Sequence, residues 1–239
     1  MTDGSVPDYS EYFRNRNVSG SSVAGYRLPE YLRGYLPTDS DTAILDIGCG
    51  FGQTLDALRR EGYRNLAGID VSAEAVSGAR QNGLDVELIE DIGSFCRKAG
   101  KRYDFIIMSH VLEHVEKDRI IDTLRIIREN LIAPQGSLAV MVPNAQSPTG
   151  CYWRYEDFTH TTIFTAGSLF YVLKSAGFES IEFIDPDGTA DNSPPVRLLR
   201  KLFLAGYRIN LHFRNRITRS AFHRPSPQIF TYEIKAIAR

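Results

Sequence analysis

Asp46-Ile47-Gly48-Cys49-Gly50-Phe51-Gly52 follows the apolar run Ala43 to Ile47 and precedes a helix-like stretch, Thr54 to Glu61, that stops at Gly62. A strand, a glycine-rich turn and a helix in that order are the setting in which such a loop holds a ligand. The glycines permit a tight turn and let the backbone come close to what is bound. Amides at the start of the following helix point into the same crevice. Outward from this loop, strand and helix signals alternate. Leu66 to Ile69, Val86 to Ile89, Tyr103 to Met108 and Ser137 to Val142 read as strands, the fourth strand of the chain, 103–108, being apolar apart from Asp104 and therefore central. Ser72 caps a helix over Glu74 to Gln81 that ends at Asn82-Gly83, and Asp118 to Leu131 has helical spacing. This alternation predicts right-handed crossovers and a doubly wound, mostly parallel α/β sheet.

The charges around the loop narrow its ligand. A dinucleotide fingerprint reads G-x-G-x-x-G, whereas here the third glycine falls one residue early and Gln53 takes its place. A carboxylate at Asp46 would repel a pyrophosphate. It suits a ligand carrying an ammonium or a sulfonium, and S-adenosylmethionine has both. Asp70 closes the second strand, 18 residues after Gly52, where an acid can accept both hydroxyls of a ribose. Asp91-Ile92 follows the third strand and could hold an adenine amino group and face. If the glycines only turned the chain, three acids in register would be unexplained.

Those motifs carry a resemblance. D-I-G-C-G-F-G at Asp46 to Gly52, G-I-D at Gly68 to Asp70, E-D-I at Glu90 to Ile92 and S-H-V-L-E-H-V at Ser109 to Val115 make Ile44 to Val142 similar to the cofactor half of class I S-adenosylmethionine-dependent methyltransferases. The resemblance implies a Rossmann-like, seven-stranded sheet whose last strand inserts antiparallel. That agrees with the strand signals at Ser180 to Ile184 and Ile229 to Ile237. It implies S-adenosylmethionine as cofactor, held by Asp46, Gly48, Gly50, Gly52, Asp70, Val71, Asp91, Ile92 and Ser109. Arg27 would meet its carboxylate from an N-terminal lid, residues 1–40. That lid carries Tyr12, Phe13 and Tyr26 and a helical pattern from Ser22 to Leu36. The core and acceptor loop span 41–185, a basic insertion 186–227 and the last strand 228–239, all in one domain.

Methyl transfer to a hydroxyl needs alignment, exclusion of water and a group that takes a proton. Reacting groups gather at the carboxyl ends of strands. After the fourth strand stand His110, Glu113 and His114, which share a face if a helix starts there. His110 or His114 is a candidate base. The three together could ligate a metal, since the pattern resembles E-x-x-E-H of metal-dependent quinone O-methyltransferases. A histidine at the first position departs from that pattern and suits magnesium poorly. Alternatively Glu113 and His114 only organise the turn. After the fifth strand comes a polar, aromatic loop, Tyr152 to His160. Its D-x-T-H, with F-T-x-x-S-L and A-G-F beyond, resembles methyltransferases acting on sugars and small polyols. That likeness makes His160 the leading candidate base, oriented by Asp157. Trp153, Arg154 and Tyr155 would contact the acceptor. A helix over Ala166 to Ala176 follows.

Composition sets the outer limits. The chain has 239 residues, 43% of them hydrophobic, and a net charge of -1, which speaks against a general nucleic-acid binder. No apolar run reaches the roughly 18 residues of a membrane span. Three scattered cysteines and no visible leader suggest a reducing cytoplasm. No N/D-P-P-Y follows the fourth strand, as a base amino-methylase would have, and no cysteine pair suggests attack on a pyrimidine. One stretch is strongly biased: no acid lies between Asp191 and Glu233, while Arg197, Arg200, Lys201, Arg208, Arg214, Arg216, Arg219 and Arg224 do. With a helix expected near Pro195 to Leu204, the insertion reads as a surface for something anionic: a charged glycan, a nucleotide sugar, or the inner face of a membrane. The expectation is an O-methyltransferase acting on a saccharide hydroxyl, plausible in bacterial cell-surface polysaccharide synthesis. Its rivals are a quinone or small aromatic O-methyltransferase and a cofactor-binding partner protein without turnover.

Overall fold

The computed structural model describes residues 23, 25–220 and 227–239. Seven strands form one sheet in the order β3-β2-β1-β4-β5-β7-β6. They are β1 (Ile44–Ile47), β2 (Leu66–Asp70), β3 (Val86–Leu88), β4 (Tyr103–Ser109), β5 (Ile132–Pro143), β6 (Ile181–Phe183) and β7 (Glu233–Ala238). β1 to β5 pair in parallel, and β7 runs antiparallel to both β5 and β6. The helices are α1 (Glu30–Arg33), α2 (Gln53–Arg60), α3 (Ala73–Gln81), α4 (Ile92–Lys98), α5 (Ile120–Asn130), α6 (Gly150–Glu156), α7 (Ala166–Ser175) and α8 (Pro194–Thr218).

The central strand shows why the sheet is covered on both faces. Successive side chains of a strand point to opposite sides. Ile106 and Met108 of β4 pack with Leu124 and Ile127 of α5 and Leu169 and Leu173 of α7. Phe105 and Ile107 pack on the other side with Leu58 of α2, Leu28 and Leu32. Helix starts follow the capping signals. The Ser72 hydroxyl accepts from the Ala75 amide at 3.3 Å, and Thr165 and Ser168 form a reciprocal capping box at α7.

Several expectations are corrected. Among the described residues of the helical pattern expected over 22–36, only the single turn of α1 is helical. Pro29, extended at ψ 139°, occupies its N-cap, and proline disfavours helix at the residue before it. The expected lid residues Tyr12 and Phe13 lie outside the described residues. The supposed loop at 152–160 is helical through Glu156, as α6. A helix at 92–98 went unread, and the one expected over 195–204 runs on to Thr218. The strand expected from Ile229 begins only at Glu233.

Register decides what meets at the carboxyl edge. Ile47 lies beside Ile69 and Met108, so the glycine loop, Asp70 and Ser109-His110 emerge together. Because β7 runs the other way, its first residue, Glu233, pairs with Pro143 at the end of β5 and joins the same edge.

Candidate active site

The glycine loop is built as its sequence demands. Gly48 has φ +72°, and a Cβ there would stand 2.2 Å from Val111 Cγ2. The Gly48 and Cys49 amides donate to the Ile69 carbonyl at 2.8 and 3.1 Å, which folds the loop over the end of β2. Asp70 is held from both sides, by the Gly50 amide on Oδ2 and the Ser72 amide on Oδ1, each at 2.8 Å. Asp46 is buried beneath. Burial, reinforced by the charge of Asp70, pushes its carboxyl up to about 8. Burial also raises Asp70, against the amides that favour its ionised form. A buried acid and a half-buried one that repel each other, below a loop of bare backbone, match a ligand with a cationic end.

Other residues expected at the cofactor are placed less directly. Val71 and Ser109 are half-buried beside the loop edge, and Arg27 is exposed. Asp91 caps α4: its Oδ1 accepts from the Ser94 amide at 2.9 Å and its Oδ2 from the Ser94 hydroxyl at 2.7 Å. Those bonds hold its carboxyl below the usual range, and Ile92 is the first residue of the helix it caps. Tyr26 lies near Thr54, Asp46 and Glu233, and burial raises its hydroxyl.

His110 stands where β4 ends, with φ +54° and its amide bonded to the Met141 carbonyl at 3.0 Å. Its side chain is 43% exposed. Nδ1 lies 3.2 Å from Glu113 Oε1, and Nε2 lies 3.2 Å from Glu233 Oε2. An ionised carboxylate can only accept, so a clamp of two carboxylates favours the doubly protonated ring. Burial opposes that charge, but the two carboxylates overcome it and push His110 up to about 10. Beyond Glu233 stands Lys235, buried, 3.3 Å from Glu233 and 3.2 Å from Asp185. Burial works against the charge on Glu233, yet His110 and Lys235 keep its carboxyl below the usual range.

Behind His110 lies a second, buried group. His160 is 7% exposed, and its Nδ1 donates to the Trp153 carbonyl at 2.7 Å. Its Nε2 faces Asp157 Oδ2 at 3.8 Å and Glu113 Oε1 at 3.9 Å. His114 Nδ1 lies 2.8 Å from the Thr159 hydroxyl, and burial lowers its basicity. Glu113 Oε2 and Asp157 Oδ2 are buried without a hydrogen-bond partner among the described residues. No metal was expected, and the set that the sequence allowed as an alternative, His110, Glu113 and His114, is rearranged. Carboxylates already occupy both nitrogens of His110, whereas Glu113, His114 and His160 offer ligand atoms within 4.8 Å of one another. Two imidazoles and a carboxylate suit zinc, manganese or iron better than magnesium.

The residues expected at the acceptor divide. Arg154 is turned inward, its guanidinium donating to the His160 carbonyl. Trp153 is half-buried, with its ring 5.1 Å from that of Tyr152 and 5.8 Å from that of Tyr232. Tyr155 is exposed. Glu233 was not foreseen. In the sequence it marks only where the cationic stretch stops, and nothing local ties it to a histidine 123 positions away.

Comparison with known proteins agrees with this fold. Residues 22–182 match the family described as a methyltransferase domain. The ubiquinone biosynthesis O-methyltransferase of Serratia proteamaculans is 34% identical over 80 residues, 31% of this chain and 33% of that enzyme. The mitochondrial ubiquinone biosynthesis O-methyltransferase of Candida albicans is 30% identical over 94 residues, 36% of this chain and 29% of that protein. The chain thus spans about a third of the length of the curated relatives it matches. The crystal structure of a SAM-dependent methyltransferase from Archaeoglobus fulgidus superposes with a TM-score of 0.64 at 20% identity, covering 97% of this chain and 99% of that one.

Proposed function

The chain belongs to the methyltransferase-domain family, and from that premise we propose that it is an S-adenosylmethionine-dependent O-methyltransferase acting on a phenol-type hydroxyl of a quinone precursor or a related small aromatic. S-adenosylmethionine, when bound, supplies a sulfonium methyl that is already electrophilic. Asp46 would hold its ammonium end over the glycine loop. Asp70 would take the ribose hydroxyls with the lone pairs that Gly50 and Ser72 leave open.

The observation that carries the reading is His110, clamped between Glu113 and Glu233 at the end of the central strand. As an imidazolium it is a poor base, but its charge, at the carboxyl edge of the sheet, would stabilise an acceptor oxygen that ionises beside it. Glu233, beside its Nε2, is the nearest group to take the departing proton. A phenol loses its proton near pH ~10 and can ionise against such a cation, whereas a sugar hydroxyl needs a true base. The names of the curated relatives point to the same class of acceptor. One observation speaks for a saccharide instead: Tyr152 and Tyr155 stand exposed on α6, beside Trp153.

The test is turnover with S-adenosylmethionine against a panel of catechols, hydroquinones and nucleotide sugars, read by mass spectrometry. Methylated aromatics are expected, with turnover unaffected by chelators. Product from sugars alone would move the acceptor to the saccharide class. Loss with a chelator, restored by a divalent ion, would shift the chemistry to Glu113, His114 and His160. Cofactor binding with no product from either panel would make the chain a non-catalytic binder.

A further inference from the structure

We propose that α8 is a docking element for an anionic phospholipid bilayer, lying in the headgroup layer with one apolar face inserted. The helix spans 25 residues, and none of them is buried. At 1.5 Å per residue it extends about 37 Å across the surface. It rests on the body along one side, where Arg208 reaches Asp187 at 2.7 Å and the Tyr207 ring meets Phe230 at 5.1 Å. Away from that side runs a row of large apolar residues at helical spacing: Leu198 (63% exposed), Leu202 (61%), Ile209 (72%) and Phe213 (62%). A soluble surface scatters such residues singly, and a continuous row of them marks a contact face.

Charge identifies what covers it. Lys201 and Arg219 border the row and Arg216 ends it, while no acid occurs anywhere from 192 to 232. Lysine and arginine stems can lie along apolar surface while their heads reach upward to phosphates. An apolar face flanked by cations is the pattern of a helix lying in a membrane interface. Two copies packed through this face would set cations against cations with no acid on the helix to offset them. An anionic bilayer supplies both the missing charge and the apolar phase. No helix among the described residues is long and apolar enough to cross a membrane, so α8 lies on the bilayer rather than through it. The inference is independent of which acceptor is methylated.

Co-sedimentation with vesicles tests it. The intact protein should pellet with phosphatidylcholine vesicles containing about 30% phosphatidylglycerol, not with phosphatidylcholine alone, and less so as salt is raised. Ile209→Glu with Phe213→Glu, and separately Lys201→Glu with Arg216→Glu, should each cut the bound fraction at least ~10-fold. Their melting temperatures should match the parent, since all four side chains are exposed. No pelleting with anionic vesicles, or pelleting that the substitutions leave unchanged, overturns the proposal. So does a dimer in sedimentation velocity without lipid that the apolar substitutions dissolve, which would give the face to a second copy.

Discussion

At His110 the backbone adopts φ +54°, which a non-glycine residue seldom does and which costs roughly 1–3 kcal/mol. Neighbours hold it there: the Met141 carbonyl takes its amide, and two carboxylates take its ring. His110→Gln should lower kcat by about 10²- to 10⁴-fold with little change in affinity for S-adenosylhomocysteine. His160→Gln should instead act mainly on stability, by about 1–3 kcal/mol, because it strips partners from buried groups. Comparable kcat losses with unchanged melting in His160→Gln would return the central role to that residue. The titration of His110 gives a further test. His110 is held up to about 10 against an ordinary 6.5, so its stabilising charge is complete below about 6.5 and lost as pH rises through about 10. The melting temperature of the parent should therefore fall more steeply between those values than that of His110→Gln. Asp46 works in the other direction. Its carboxyl, raised to about 8, must shed its proton to meet an ammonium, so binding of S-adenosylhomocysteine near neutral pH should release protons. Calorimetry in two buffers of different ionisation enthalpy would show it, and identical heats would remove Asp46 from that contact. His110 and Glu113 were legible together because they are three residues apart. Glu233 was not, because its partnership exists only once β7 has turned to run antiparallel.

Among the elements, those that bury a regular face were the easiest to read. β1 and β4 bury their apolar runs, and α5 and α7 each bury one stripe, so periodicity marks them. α4 escaped because Cys96 is its only buried residue, and its start is marked only by the Asp91–Ser94 cap. α8 was cut short for a related reason. It buries nothing, and Gly206, mid-helix in open space, resembles a stop although it costs only about 1 kcal/mol relative to alanine. The glycine loop invites the opposite experiment. Gly48→Ala should destabilise by about 1–3 kcal/mol and abolish cofactor binding, combining a φ of +72° with a clash at Val111. Pairing it with Val111→Ala removes the clash and should restore part of the stability but not all of it. Full restoration would mean that the turn itself is unstrained.

For the molecule as a whole, the alternation of strands and helices predicted the sheet and its doubly wound covering, while the acceptor side resisted. Parallel order follows from crossovers that local sequence marks, whereas the site also draws on α6, on the segment before β7 and on β7 itself, which meet only in three dimensions. Asn144 shows the dependence: buried at the end of β5, it donates to the carbonyls of Ile229 and Thr231, both at 2.8 Å. The place of β7 between β5 and β6 also has a consequence for the timing of folding. β6 is synthesised before α8 and β7 after it, yet β6 joins the sheet only through β7. Until β7 has left the ribosome, the outer edge of β5 stands open, an apolar strand with unpaired amides and carbonyls. The nascent protein is thus most exposed to pairing with other chains while its longest helix is being made.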